Sequence, residues 1–154
     1  MTTGDNAKKA VAEALNGILA DSFALYLKTK NFHWHVSGPH FRDYHLMFDE
    51  HAAQILGTTD LIAERVRKNG HRTVTSIGDI AKRQSLSDND DGKVSASDML
   101  DELRADNLKL VAKLRDAKEL AGEAGDNATD GLLDDWTDQA EERAWFLFEI
   151  AQKD

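Results

Sequence analysis

The chain of 154 residues contains no cysteine and only one proline. Without cysteine there is neither a disulfide framework nor a thiolate metal site, and a reducing compartment, the cytoplasm, is the expected setting. A single proline leaves little to interrupt helices. No run approaches the roughly 18 apolar residues of a membrane span, and the opening MTTGDNAKK has no apolar stretch of a signal peptide, so no membrane is expected. Positive charge is also scarce. Nineteen Lys and Arg stand against 28 Asp and Glu, a net charge of −9. That balance disfavours a broad phosphate-binding face and favours cations as partners. With 41% hydrophobic and 31% charged residues, the composition is that of a globular chain, read as a single domain over 1–154.

What is present is helical. From about Asn6 to Val36, Val11, Leu15, Ile18 and Leu25 recur at the spacings of an amphipathic helix. Ser37-Gly38-Pro39 breaks it, and the proline predicts a second helix beginning at Pro39. That helix should run to about Asn69 and stop at Gly70. Gly57 inside it marks close packing or a slight bend. SIGDIAKR (76–83) predicts a short helix and QSLSDNDDGKVSAS a loop. A third long helix should start near Ser95 or Ser97, with Met99, Leu103, Leu110, Leu114, Ala117 and Ala121 as its apolar stripe. A last one, about Asn127 to Ala151, carries Leu133, Trp136, Ala140, Phe146 and Phe148. No strand signal appears. The sum is an all-α four-helix bundle with a short extra helix in a long crossover between the second and third long helices.

Five of the six histidines fall within NFHWHVSGPHFRDYHLMFDEH, residues 31–51. At about 100° per residue, His45, Asp49, Asp60 and Glu64 share one face of the second helix. Asp49 and Asp60 are nevertheless about 16 Å apart along the axis, so no single ion can bond both in one chain. An antiparallel hairpin sets His33 beside His45. Two imidazoles and a carboxylate thus gather at one end of the helix pair, and Asp60 with Glu64 at the other. A second copy lying antiparallel across a two-fold axis would join the halves into two identical composite sites. Imidazole with carboxylate suits iron, zinc or manganese, and two histidines with one carboxylate is a common Fe(II) set.

The ordered run His33-Trp34, Val36, Gly38, Phe41, His45, Asp49, Asp60, Glu64 and Arg65 resembles the Dps family, the ferritin-like mini-ferritins that protect DNA in starved cells. The resemblance implies a ferritin-like bundle assembled as a hollow homododecamer. It implies a ferroxidase that oxidises Fe(II) at two-fold sites, with His33, His45 and Asp49 from one subunit and Asp60 and Glu64 from its partner. Hydrogen peroxide would be preferred over dioxygen as oxidant, and ferric oxyhydroxide would be stored in the cavity. Trp34 beside the site is implied as an electron donor, with a plain helix-interface role as the alternative. Asp126, Asp130 and Asp134 are implied to line a pore for iron at the three-fold axis, although acidic residues also favour a helix start for local reasons. The in-bundle site of conventional ferritins needs Glu-x-x-His, which this sequence lacks.

Direct DNA binding is not expected. Lys8 and Lys9 are the only basic residues near the start, Asp5 lies beside them, and an acidic shell repels phosphates. The alternative is a nucleoid-associated DNA-binding protein whose iron chemistry is secondary. SDNDDGKVSASD (87–98) has a calcium loop's spacing without its final bidentate Glu. His35, His40, His51 and His71 are left to the surface or a cavity.

Overall fold

The computed structural model describes residues 3–154; the first two residues of the MTTGDNAKK opening lie outside it. Five helices follow in order: α1 Thr3–His35, α2 Phe41–Lys68, α3 Ile77–Arg83, α4 Ala96–Glu123 and α5 Asn127–Ile150. No strand occurs among the described residues. α1 packs along α2 and α4 along α5; the two hairpins join chiefly through α1 and α4, and α3 lies across α1. The expected apolar stripes share one buried core, which includes Val11, Leu15, Ile18 and Leu25 of α1, Met99, Leu103, Leu110 and Leu114 of α4, and Leu133, Trp136 and Ala140 of α5. By length and hydropathy alone, Gly4–His35 would pass as a membrane-spanning helix, and 56% of its most apolar 18-residue stretch is buried in the bundle.

The helix ends follow from local chemistry. α2 begins at Phe41 rather than Pro39. Gly38 takes φ +119°, and the Phe41 N–H donates to the Gly38 carbonyl at 3.1 Å. Pro39 thereby fills the second position of a tight turn, where its fixed φ is equally at home. His40, at φ −108° and ψ 24°, completes that turn. At the far end, the Gly70 N–H donates to Arg67 and the His71 N–H to Val66, and Gly70 has φ +85°. This paired pattern closes the helix through a left-handed glycine. Gly125 ends α4 the same way, and the next residue, Asp126, caps α5. Ser76 and Ser95 cap α3 and α4.

Polar side chains of α1 tie the crossover to the bundle. Asp21, wholly buried, accepts from the Ser85 N–H at 2.6 Å, the Ser85 hydroxyl at 2.8 Å and the Leu86 N–H at 3.0 Å. Lys113 adds an ion pair to it at 2.8 Å. Lys28 donates to the Ser87 carbonyl and to Asp106, with Glu102 at 3.1 Å. Burial pushes the Asp106 carboxyl up, against the pull of Lys28.

Besides the start of α2, three expectations change. Phe146 and Phe148 are exposed, because the buried stripe of α5 continues through Arg143, Ala144 and Leu147. Gly57 is exposed on an unbroken α2, and a Cβ there would meet nothing within 4 Å, so the glycine serves no close packing within this chain. His51 is buried in the bundle rather than at the surface or a cavity wall, with its ring 6.1 Å from that of Phe146.

Burial, and then the Arg143 cation, lower the His51 pKa from 6.5 to about 4. Between those values the unfolded chain binds a proton that the folded chain refuses. Stability therefore falls as pH drops through that window, by about 1.4 kcal/mol per unit and about 3 kcal/mol in all. His51→Leu should remove this acid sensitivity. Urea unfolding at pH 7 and pH 4.5 would then differ less than in the wild type, and an unchanged difference would contradict the assignment.

Candidate metal centre

The α1–α2 corner brings His33 and His45 face to face. Their rings stack with centroids 3.8 Å apart and planes 14° apart. Each Nδ1 points at the other residue's backbone carbonyl: His33 Nδ1 to the His45 oxygen at 2.5 Å, and His45 Nδ1 to the His33 oxygen at 2.7 Å. A carbonyl oxygen only accepts, so both rings carry their proton on Nδ1. With Nδ1–H engaged in this way, Nε2 is the ring atom left to face a metal ion. Phe41 stacks on the outer side of His45 with centroids 4.9 Å apart. The corner fixes both imidazoles in position and in tautomer.

Asp49, one turn after His45, is half-exposed. Its Oδ1 lies 3.8 Å from His33 Nε2 and 2.8 Å from Lys30 Nζ. Two atoms bonded at about 2.1 Å to one ion stand about 3.0 to 4.2 Å apart, depending on the angle between the bonds. His33 and Asp49 therefore fit a shared ion. The Lys30 hydrogen bond, outweighing the opposing effect of burial, holds the Asp49 carboxyl below the usual range. Sequence reasoning passed over Lys30, although it sits one turn before His33 and level with Asp49.

Asp60 and Glu64 lie on the same outer face, about three and four turns beyond Asp49 along α2, exposed and without a hydrogen-bond or ion-pair partner among the described residues. Within one chain they do not meet the histidines. No group of three or more His, Asp or Glu among the described residues is arranged to hold a metal ion alone. Around the two halves the surface is apolar: Trp34 is 57% exposed, Leu46 43%, Leu56 42% and Leu61 47%. Such side chains beside ionic ones suit a covered face better than open water.

The carboxylates at the start of α5 are engaged locally. Asp126 accepts from the Thr129 N–H and hydroxyl and from Asn69 Nδ2 at 2.8 Å. Burial opposes its ionisation, but these hydrogen bonds outweigh it and hold the carboxyl below the usual range. Asp130 and Asp134 both grip Lys118, the latter at 2.8 Å. His35 and His40 are at the surface and His71 is half-buried.

The model of the ferritin-like domain matches residues 12–154. The DNA protection during starvation protein of Brevibacillus brevis is 34% identical over 140 residues, covering 91% of this chain and 93% of the relative. The chain belongs to the Dps family of ferritin-like proteins. A low temperature-induced protein of Nostoc is 35% identical, covering 93% of this chain and 80% of its own length. Among solved structures, Dps from Thermosynechococcus elongatus superposes with a TM-score of 0.95 at 27% identity, over 99% of this chain and 97% of its own. A Dps protein from Bacillus brevis gives 0.92 at 32% identity, over 99% and 100%. The all-α ferritin-like bundle expected from the sequence is therefore the fold, with the short crossover helix within the superposed length.

Nitrogen NMR of histidine-labelled protein at neutral pH should place the proton of His33 and His45 on Nδ1. Signals of the Nε2–H tautomer at either ring would contradict the reciprocal lock.

Proposed function

We propose that this Dps-family protein is an iron-oxidising and iron-storing mini-ferritin whose oxidation site is completed by a second copy of the chain. One observation carries the reading: the two half-sites on α2 share a midpoint. Halfway between His45 and Glu64, and halfway between Asp49 and Asp60, lies the same point, at Gln54 and Ile55. A two-fold axis crossing α2 there, with the helices antiparallel, sets His45 opposite the partner's Glu64 and Asp49 opposite the partner's Asp60. His33 joins through its stacking on His45. The exposed apolar residues of the same face would be covered in the same act.

In this reading Asp60 and Glu64 bind Fe(II) and balance the charge gained on oxidation, while the locked Nε2 atoms of His33 and His45 and the Asp49 carboxylate complete the site. Hydrogen peroxide is the favoured oxidant, with dioxygen the slower one, and the ferric product is stored inside a homododecameric shell. Consuming Fe(II) and peroxide together limits radical damage in the cytoplasm. Trp34, exposed one residue from His33, is the candidate electron donor. Asp126, Asp130 and Asp134 are candidates for an iron pore, although each already has a local partner. A DNA-binding role gains no support from a net charge of −9.

Fe(II) and peroxide added anaerobically should give fast growth of ferric-oxo absorbance in the wild type. Asp60→Asn combined with Glu64→Gln should slow it by about 100-fold or more, with the far-ultraviolet circular dichroism unchanged. Wild-type oxidation no faster than buffer would sink the proposed activity.

A further inference from the structure

The inference rests on the composite site above and concerns Lys30, whose ammonium meets the Asp49 carboxylate of that site. Lys30 Nζ donates to Asp49 Oδ1 at 2.8 Å, the same oxygen that stands 3.8 Å from His33 Nε2. An ion shared by His33 and Asp49 would bond the oxygen that Lys30 holds. The ammonium also lies 5.7 Å from the centre of the Trp34 ring, and the side chain is only 21% exposed. It is seated between carboxylate and indole rather than free in solvent. The other half-site has no such cation, since neither Asp60 nor Glu64 is paired with a basic side chain among the described residues.

We propose that Lys30 is a built-in monovalent occupant of the Asp49 side of the centre, orienting Asp49 in the metal-free protein and competing with a divalent cation for it. The consequence is an order of loading. The first divalent ion binds on the Asp60 and Glu64 side, shared with an imidazole across the interface. A second ion reaches Asp49 only by displacing the ammonium or tolerating it at close range, so it binds more weakly. Lys30 is thus a positioning and specificity residue that sets how many ions the centre holds at a given concentration.

The test is a Co(II) titration of the assembled full-length protein, followed by calorimetry and by the ligand-field absorption of the bound ion. It compares the wild type, Lys30→Met, Lys30→Arg and the Asp60→Asn/Glu64→Gln pair. The wild type should bind one Co(II) per composite site tightly and a second more weakly. Lys30→Met, close in length but uncharged, should tighten the second ion by about tenfold or more, with melting temperature and sedimentation unchanged. Lys30→Arg should retain the wild-type gap. Identical second-ion affinities in the wild type and Lys30→Met would overturn the proposal. So would an equal loss of the second ion in both lysine variants, which would reduce Lys30 to a scaffold. If the Asp60→Asn/Glu64→Gln pair bound Co(II) as the wild type does, the composite site itself would fail, whatever Lys30 did.

Discussion

The rise of an α-helix is the constraint on which the functional reading depends. At 1.5 Å per residue, the eleven residues from Asp49 to Asp60 span about 16 Å, several times the reach of a metal bonded on both sides. α2 is unbroken through Gly57, so no local bend shortens that distance. One chain holds two half-sites pointing the same way from the same face, and nothing inside the protomer brings them together. The exposed leucines and Trp34 on that face, the unpartnered Asp60 and Glu64, and the shared midpoint at Gln54 and Ile55 all gain a common purpose if a second α2 lies across the first.

The interior of the bundle has been committed otherwise. Its core holds Arg143, 3% exposed, with its Nε on Asn107 and its Nη1 without a partner among the described residues. Burial drops its pKa to about 10, and its charge adds to the burial that lowers the pKa of His51. A buried cation disfavours a metal ion beside it. The acidic groups on the α1–α4 side, Asp21 and Asp106, are already bound to Lys113 and Lys28 and to the crossover. The proposed iron chemistry is thereby left to the outer face of α2, with the rest of the bundle as the frame that holds the His33–His45 corner.

Much of this was legible in the sequence, for reasons that differ between elements. The long helices were plain because Leu, Ile and Met recur at helical spacing, and Gly70, Ser76 and Ser95 end or cap helices by backbone chemistry that needs no tertiary context. His33 beside His45 followed from the hairpin alone. Other features depend on which side of a helix faces which neighbour, and one-dimensional spacing does not fix that. Phe146 and Phe148 look like core residues until Arg143 and Leu147 are seen to continue the buried stripe. His51 sits among surface-seeming histidines yet turns inward. Lys30 and Asp49 are nineteen residues apart and meet only because α1 and α2 are in register. Likewise, Asp126, Asp130 and Asp134 look like a free acidic row in sequence, and the fold gives them Asn69, Thr129 and Lys118.

The most direct test of the central claim is complementation between two inactive chains. One carries His33→Ala and His45→Ala, the other Asp60→Asn and Glu64→Gln. Each alone should oxidise Fe(II) no faster than buffer. Unfolded together and refolded as a mixture, they should recover about a quarter of the wild-type sites, because a chain with intact histidines then faces a chain with intact carboxylates in that fraction of cases. No recovery from a mixture that assembles as well as the wild type would show that the two half-sites do not meet across the interface.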